Sequence, residues 1–302
     1  MRLGLVWLGA VVAAWLAVVA PARAVEVKVG LYVLSLGKLD LERALVPADF
    51  YATFACSGPC PALDFEIMNG RIVSSTLVDQ QPDRRMYRIF AELRPQADLR
   101  RFPFDNQAID IVLEDRQLEA GDLTFVADQR HSGLDDDVML VGWSIAGWSA
   151  STAIHRHDVL DETYSRYRFR IDATKPAWNG FLKTLMPIVF IVLIVICSFI
   201  MDIGKTDDRL STATAGLIGA VMIHLTISNQ IPPVAYLTLA DQFMLVVYAF
   251  LTLTLAYNFW LLELVQRGRE ARARAIHQGV RMKVLVGGPV VFALILWAMS
   301  RF

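Results

Sequence analysis

Six side chains between positions 207 and 233 repeat at a spacing that could line a path for ions. Read as one helix, their steps of three and four residues keep them in one narrow stripe. The stripe is small and polar at its start, apolar through its middle and polar at its end. Several copies around an axis would give wetted ends and an apolar constriction that can dewet. The six residues are Ser211, Ala215, Ile218, Met222, Leu225 and Asn229.

Periodicity alone favours a plainer interpretation of the same stripe, because core-packing seams are far commoner than pores. The six residues would then pack one helix into a bundle. The stretch is too polar at its start for a lipid-facing span, where hydroxyl groups need partners. It is also too long and too apolar for an ordinary surface helix. The stripe by itself leaves both interpretations open.

Two adjacent carboxylates, Asp207 and Asp208, open this helix. Within one chain they would cap the helix and place negative charge at its positive end, which stabilises by about 0.5–2 kcal/mol. Around an axis they would form rings that attract cations. The two roles are compatible.

A histidine cluster provides a second set of candidate groups. His155, His157 and Asp158 fall close together, and Asp161 and Glu162 follow them. These groups suit a divalent cation, or pH sensing through the imidazoles. The alternative is a solvated surface loop. The sequence does not decide whether a metal binds.

Two further groups have two interpretations each. The run Asp135–Asp137 fits either a cation site or a polar loop. His224 lies inside an apolar stretch, about 100° around the helix from Leu225. It is either a neutral histidine that donates to a neighbouring helix or a site of proton modulation.

Catalytic motifs are missing from the sequence: it has no G-x-S-x-G, no HExxH and no phosphate-binding glycine loop. We therefore expect neither enzymatic activity nor a cofactor. A net charge of −1 on 302 residues offers no basic surface for nucleic acid. Three cysteines are too few for a disulfide scaffold.

The elements that must position these groups begin after a targeting segment. Residues 1–24 have a positive start, an apolar run and the small-x-small site Ala22-Arg23-Ala24, which together predict a signal peptide. An uncleaved membrane anchor is the alternative. Either way, the chain from Val25 onward is predicted to leave the cytoplasm.

Residues 25–177 are predicted to form a β-sandwich domain, because short alternating segments are separated by turn residues. Alternation marks the segments 25–29, 50–54, 109–113, 123–126 and 164–171. Cys56 and Cys60 flank a tight turn, and in an oxidising compartment we expect them to form a disulfide. A metal site is the alternative, although CxxxC alone lacks further ligands.

Residues 178–302 contain four apolar spans, at 181–201, in the stripe helix, at 239–264 and at 284–299. The basic connection 265–283 reads either as a solvated helical face or as a cytoplasmic loop under the positive-inside rule. These features predict a multi-pass protein in contact with membrane lipid. They place it in the inner membrane, with the N-terminal domain in the periplasm.

One turn in the exported half is distinctive. The segment Phe102-Pro103-Phe104-Asp105-x-Gln107 resembles the signature of the pentameric ligand-gated ion channel, or Cys-loop receptor, family. Two more segments, Phe65-Glu66-x-x-Asn69-Gly70 and Val138-x-Leu140-x-Gly142-Trp143, are similar to segments of its bacterial members. Residues 209–232 resemble the pore helix and its exit. The resemblance covers essentially the whole mature chain, in order.

The chain departs from the family at the loop that gives it its name. Pro95 and Ile109 stand where the two loop cysteines would be, so that bridge is absent. Bacterial members commonly lack it.

The resemblance implies an α+β membrane protein, with an extracellular immunoglobulin-like β-sandwich followed by a four-helix transmembrane bundle, assembled as a homopentamer. It implies a cation-selective, ligand-gated channel in which Asp207 and Asp208 set selectivity. Gating would be coupled through Phe102, Pro103, Phe104, Asp105, Lys175 and Pro232, where Lys175 holds a basic position that is usually Arg.

The resemblance also implies an agonist site around the loop that precedes the last exported strand. The agonist is a proton, a divalent cation or a small molecule. The residues implied at this site are Phe65, Glu66, His155, His157, Asp158 and Tyr164. Two rival functions remain at this stage: a non-conducting envelope receptor or scaffold, and a membrane-tethered periplasmic enzyme. The polar-ended stripe argues against the first, and the missing catalytic motifs argue against the second.

Overall fold

The computed structural model describes residues 24–299, so the predicted signal peptide lies outside it apart from Ala24. Within that range, ten strands precede four long helices. The strands are β1 (Val25–Leu36), β2 (Val46–Cys56), β3 (Phe65–Ile67), β4 (Gly70–Gln81), β5 (Arg84–Leu93), β6 (Asn106–Asp115), β7 (Leu123–Ala127), β8 (Gly133–Leu134), β9 (Ser144–His157) and β10 (Glu162–Thr174). The helices are α1 (Ala177–Ile200), α2 (Thr206–Ser228), α3 (Leu239–Gln266) and α4 (Glu270–Met299).

The strands form two sheets that share one apolar core. The first sheet has the order β4-β5-β2-β1-β7, with β8 also paired to β1, and the second has the order β3-β6-β10-β9. Pairing is antiparallel except where β1 meets β7 and β8. Because side chains alternate along a strand, β2 and β10 each send every second residue inward. Those residues include Phe50, Phe54, Tyr167 and Phe169, all fully buried.

Three long strands carry too weak an alternation to be predicted individually. The clearest is β4, an edge strand that is exposed or half-buried along its whole length. With neither face packed into the core, β4 needs no apolar-polar alternation, so its sequence lacks the usual strand signal. The other two are β5, with 10 residues, and β9, with 14 residues.

All four helices are long and apolar enough to cross a membrane. Helix α1 contains a π-helical turn, Phe181–Leu185, just before Pro187. Such a turn is a recognised way to absorb a proline within a helix, because proline supplies no backbone N–H.

The fourth helix begins fourteen residues before the predicted apolar span at 284. Only Arg267, Gly268 and Arg269 separate α3 from α4, and Gly268 takes the left-handed conformation with φ of 72°. That conformation is the usual helix stop and favours glycine. Most basic residues of the connection 265–283 therefore lie on a helix, which agrees with the helical-face interpretation.

Candidate functional site

The predicted stripe lies on the outward face of α2. All six of its residues are exposed in the single chain, and the apolar members Ile218, Met222 and Leu225 are 61%, 61% and 55% exposed. The buried residues of α2 follow the opposite face, and they are Thr206, Arg209, Ala213, Ala220 and Ile227. The stripe is therefore not a packing seam within this chain.

The last member of the stripe differs from the rest. Helix α2 ends at Ser228, and Asn229 is its C-cap, with its backbone N–H donating to the Leu225 carbonyl. Asn229 also lines a cavity of about 390 Å³ between the β1–β2 loop and the top of α2. Asn229 therefore lies just beyond the C-terminal end of α2, whereas the other five residues lie along the helix.

Two glycines fix how closely α2 approaches α1. A Cβ atom at Gly216 would stand 2.7 Å from Cγ2 of Val195, and one at Gly219 would stand 3.1 Å from Cδ1 of Ile191. The small residues thus allow close helix contact. That contact lies within one chain and holds the stripe outward.

Asp207 and Asp208 are exposed in the first turn of α2. The expectation that they cap the helix is wrong, because the N-cap residue is Lys205 and no side chain caps this end. Their favourable interaction with the helix dipole still applies in that first turn. Neither carboxylate is held by an ion pair within residues 24–299.

The other end of α2 is tied to α3 through His224. Its Nδ1 lies 3.0 Å from the Tyr248 hydroxyl, and its Nε2 lies 3.2 Å from Oδ1 of Asp241. Asp241 also accepts from the backbone N–H of Thr238, whose side chain accepts from the Asp241 backbone in return. This reciprocal pair is a capping box at the start of α3. His224 therefore contacts a neighbouring helix, as one of its two interpretations proposed.

The loop between β5 and β6 joins the sandwich to the helices. The backbone N–H groups of Leu239 and Ala240, which open α3, donate to the carbonyls of Arg100 and Phe102 at 2.9 and 3.1 Å. These N–H groups have no partner inside α3 because they lie in its first turn. The tip of the loop, residues 102–105, also packs against α1, where a Cβ at Gly180 would meet the Pro103 carbonyl oxygen.

Asp105 is the most deeply buried acid of this loop, with 1% exposure. Its Oδ2 accepts from Gln107 at 2.6 Å. Its Oδ1 has no hydrogen-bond partner in the part of the chain that the structure describes. A buried carboxylate oxygen without a partner is costly. Asp105 Oδ1 is therefore free to accept a hydrogen bond from a further donor.

Lys175 lies close to Asp105 but makes no ion pair with it within the described residues. Its Nζ instead lies 4.8 Å from the ring centre of Phe102 and 5.7 Å from that of Trp143. Burial lowers the pKa of Lys175, and the Asp105 carboxylate opposes part of that shift. Phe104 packs against the helical core, and Pro232 lies half-buried in the connection between α2 and α3.

The residues implied at the agonist site divide into two groups. Glu66, His157 and Tyr164 line a cavity of about 290 Å³ together with Glu162. Phe65 instead packs its ring against Phe54 and Tyr87 in the sandwich core.

The two imidazoles of the histidine cluster meet a carboxylate that the sequence did not indicate. His157 Nε2 lies 3.1 Å from Glu114 Oε2, and His155 Nδ1 lies 3.6 Å from Glu114 Oε1. Burial and the Arg166 guanidinium lower the pKa of His155, while Glu114 opposes part of that shift. The side chain of Asp158 points away, 92% exposed and paired with Arg156.

The chain is similar to a known ion channel. A scan against protein-family models finds no match. A curated protein from Gloeobacter violaceus, described as a proton-gated ion channel, is 23% identical over 231 residues, which are 76% of this chain. The match spans 63% of that relative's length.

This similarity agrees with the resemblance to the pentameric ligand-gated ion channel family.

The β-rich domain and the four membrane-spanning-capable helices support a multi-pass membrane protein. The relative is described as an ion channel. The predicted disulfide between Cys56 and Cys60 is present in the structure.

Several positions in the junction and beside the histidine cluster were not predicted from the sequence. Thr238 and Asp241 carry a signal that was readable, since Thr-x-x-Asp before an apolar run is a helix-start pattern. Glu114 ends an alternating strand, and nothing in its neighbours along the chain reveals the histidines 41 and 43 residues later. Tyr236, whose hydroxyl accepts from the Leu99 backbone, also had no local signal.

Proposed function

We propose that this chain forms a homopentameric, cation-selective channel that opens when a stimulus binds at the extracellular subunit interfaces. The observation that carries the proposal is the outward stripe of α2, exposed in one chain and ordered from polar to apolar to polar. The proposal is supported by a relative that is itself an ion channel. The number of five subunits comes from the family that the sequence resembles.

The stripe needs surroundings that neither lipid nor bulk water provides along its whole length. Lipid would suit Ile218 and Met222 but would leave the hydroxyl of Ser211 in hydrocarbon, where polar groups need partners. Bulk water would suit Ser211 but expose a row of large apolar side chains. A shared axis suits both, because water meets the polar ends and the apolar rings meet one another.

The gate in this proposal is the apolar middle of the stripe. Narrow apolar constrictions exclude water and so block ions without a physical plug. Tilting of α2 would widen the rings at Ile218, Met222 and Leu225 and let water enter. A stimulus that prefers the open state by a few kcal/mol is enough to shift the population.

Selectivity in this proposal comes from Asp207 and Asp208. Repeated around an axis at the cytoplasmic mouth, their carboxylates would raise the local cation concentration and repel anions. Screening is weak over a mouth narrower than the Debye length, about 8 Å at physiological salt.

A continuous set of contacts would carry the signal from the sandwich to the gate. The loop between β5 and β6 accepts hydrogen bonds from the first turn of α3 through the carbonyls of Arg100 and Phe102. The capping box of that same turn is bonded to His224 on α2. Movement of the loop would therefore shift the start of α3 and, through His224, the upper part of the pore helix.

The stimulus would bind near the cavity lined by Glu66, His157 and Tyr164. The relative is proton-gated, and for this chain we propose that the agonist is a proton, a divalent cation or a small molecule. We place the protein in the inner membrane with the sandwich in the periplasm. The arginines at the α3–α4 connection support that orientation, because basic residues favour the cytoplasmic side.

Purified protein in a planar bilayer tests the proposal directly. We expect unitary currents whose open probability depends on pH, on divalent cations or on an added small molecule, each varied separately. In a salt gradient, the reversal potential should lie near the cation potential. Protein that is folded and inserted but silent under all these conditions would favour the non-conducting receptor instead.

A further inference from the structure

Three metal-binding side chains converge beside the proposed agonist cavity. Glu114 is the penultimate residue of β6, while His155 and His157 lie two residues apart near the end of β9, so the two histidine side chains share one face. One ligand atom from each of the three lies within 4.8 Å of the other two. The carboxylate is buried, and the two imidazoles are partly exposed.

The spacing of these atoms is close to that around a bound ion. Zinc–nitrogen bonds of about 2.1 Å in a tetrahedral site put neighbouring ligand atoms about 3.4 Å apart. His157 Nε2 lies 3.1 Å from Glu114 Oε2, and His155 Nδ1 lies 3.6 Å from the other oxygen, Oε1. One oxygen and the two imidazole nitrogens all lie within 4.8 Å of one another. Small rotations of the side chains would bring all three atoms onto one centre.

We propose that Glu114, His155 and His157 bind one divalent transition-metal ion of the zinc class through two imidazole nitrogens and one carboxylate oxygen. Imidazole nitrogen suits zinc, copper and nickel, whereas calcium and magnesium prefer oxygen ligands. Three protein ligands leave a position for water or for another donor, as in open zinc sites.

Arg166 is the main competitor and must be accommodated. Its Nε donates to Glu114 Oε1 at 2.6 Å, and its Nη2 lies 3.0 Å from His155 Nδ1. An ion would displace the guanidinium from His155 and take Glu114 Oε2, the oxygen beside His157. Arg166 would keep Oε1 and orient the carboxylate, which is the usual task of a residue that supports a metal ligand.

The surrounding charge favours a cation despite Arg166. The adjacent cavity, which His157 lines, holds the carboxylates of Glu66, Glu114, Asp115 and Glu162 against the single guanidinium of Arg116. The open coordination position would face this cavity. A bound ion would also tie β9 to β6 at the base of the turn Asp158–Asp161, and its effect on gating rests on the channel function proposed above.

Zinc binding to the purified full-length protein, carrying an affinity tag without histidine, tests the site. We expect about one high-affinity Zn²⁺ per chain by calorimetry. Because losing a residue that merely supports a metal ligand costs about 10–100-fold in affinity, His155→Asn and His157→Asn should each weaken binding at least tenfold. His131→Asn is the matched control, since His131 is exposed and pairs with Asp128 outside the cluster.

Two further measurements distinguish loss of the metal site from misfolding of the variant. Thermal unfolding shows whether each variant is folded, and saturating Zn²⁺ should raise the midpoint of wild type and His131→Asn more than that of the cluster variants. Co²⁺ should give the visible absorption of a four-coordinate nitrogen and oxygen site in wild type and lose it in His157→Asn. Glu114 is buried, so Glu114→Gln serves as a confirming variant only.

Unchanged Zn²⁺ affinity in both folded histidine variants would overturn the inference, and so would Ca²⁺ binding at the same residues as tightly as Zn²⁺. Current recordings separate this inference from the channel proposal. Zinc binding lost with the histidines in a protein that never conducts would support the metal site and count against the channel. Currents in a protein with no such zinc site would do the reverse.

Discussion

The β half and the helical half of this chain differ in how far their apolar side chains are buried. In the sandwich, inward residues such as Phe50 and Phe169 are completely buried by the chain itself. In the helices, Ile218 is 61% exposed and Leu253 is 70% exposed. The core of the first half is therefore buried within one chain, whereas the second half leaves apolar faces exposed, which lipid and, in the proposed assembly, other copies would cover. A substitution acts within one chain or between chains according to the surface that carries it.

The largest expected effect separates the two faces of α2. Gly216→Leu forces atoms into Val195, where even a Cβ would lie at 2.7 Å, and overpacking of this kind costs about 1–3 kcal/mol. Ala215→Leu, one residue away, adds the same side chain to the outward face. We expect thermal unfolding in detergent to show a clear loss of stability for the first and a midpoint near wild type for the second. Equal loss in both would mean that the outward face is packed within the chain.

The next prediction tests whether the apolar residues of the stripe form the gate, as proposed above. Ile218→Ser should hydrate the constriction and favour opening, seen as leak or as about a tenfold lower stimulus for half-activation, which corresponds to about 1.4 kcal/mol. Ile218→Val keeps the ring apolar and should behave like wild type. If the serine variant shows normal sensitivity and no leak, the gate lies elsewhere.

A smaller effect concerns the junction between the halves. Asp105→Asn removes the charge from a buried acceptor bonded to Gln107 but keeps an oxygen that can accept, so only part of that hydrogen bond's contribution is lost. We expect a weaker agonist response with normal surface assembly, measured by whole-cell current and surface labelling. Asp98→Asn, an exposed acid on the same loop, is the control. An Asp105→Asn response equal to that of Asp98→Asn would remove Asp105 from the coupling path.

The smallest effect is a change in ion preference at the mouth of α2. Asp208→Asn keeps the size of the side chain and removes its charge, and Lys205 rather than Asp208 holds the N-cap position. The reversal potential in a salt gradient should move toward the anion potential. The shift should be largest at low ionic strength, since the Debye length grows to about 30 Å at 0.01 M. A reversal potential equal to wild type, also in the double variant with Asp207→Asn, would leave only the helix-dipole role.

Much of the fold was readable from the sequence because strong periodic patterns determine it. Alternation located β1, β2 and β10, and apolar length located the four helices. The start of α4 could not be predicted from the sequence. Basic residues such as Arg272 and Arg281 are equally typical of a polar loop, and only the structure shows that they belong to a helix. The edge strand β4 was equally hidden, because it packs neither face.

The candidate site was readable only where it lies along one element. The stripe of α2 is local in sequence, so spacing alone predicted its members and their common face. The junction and the histidine cluster depend on residues brought together from distant segments. Glu114 meets His157 through the pairing of β6, β10 and β9, and Ala240 meets Phe102 through the docking of two domains. No pattern within a window of one helix or strand contains that information.

The three-residue connection between α3 and α4 has a consequence for how the protein is made. Arg267, Gly268 and Arg269 keep the end of α3 next to the start of α4. In the orientation proposed above, the two helices form one antiparallel hairpin whose turn arginines stay on the cytoplasmic side, since carrying them through hydrocarbon is costly. We therefore expect the third and fourth helices to insert as a pair, and a chain that ends after Gln266 would leave α3 without its antiparallel partner.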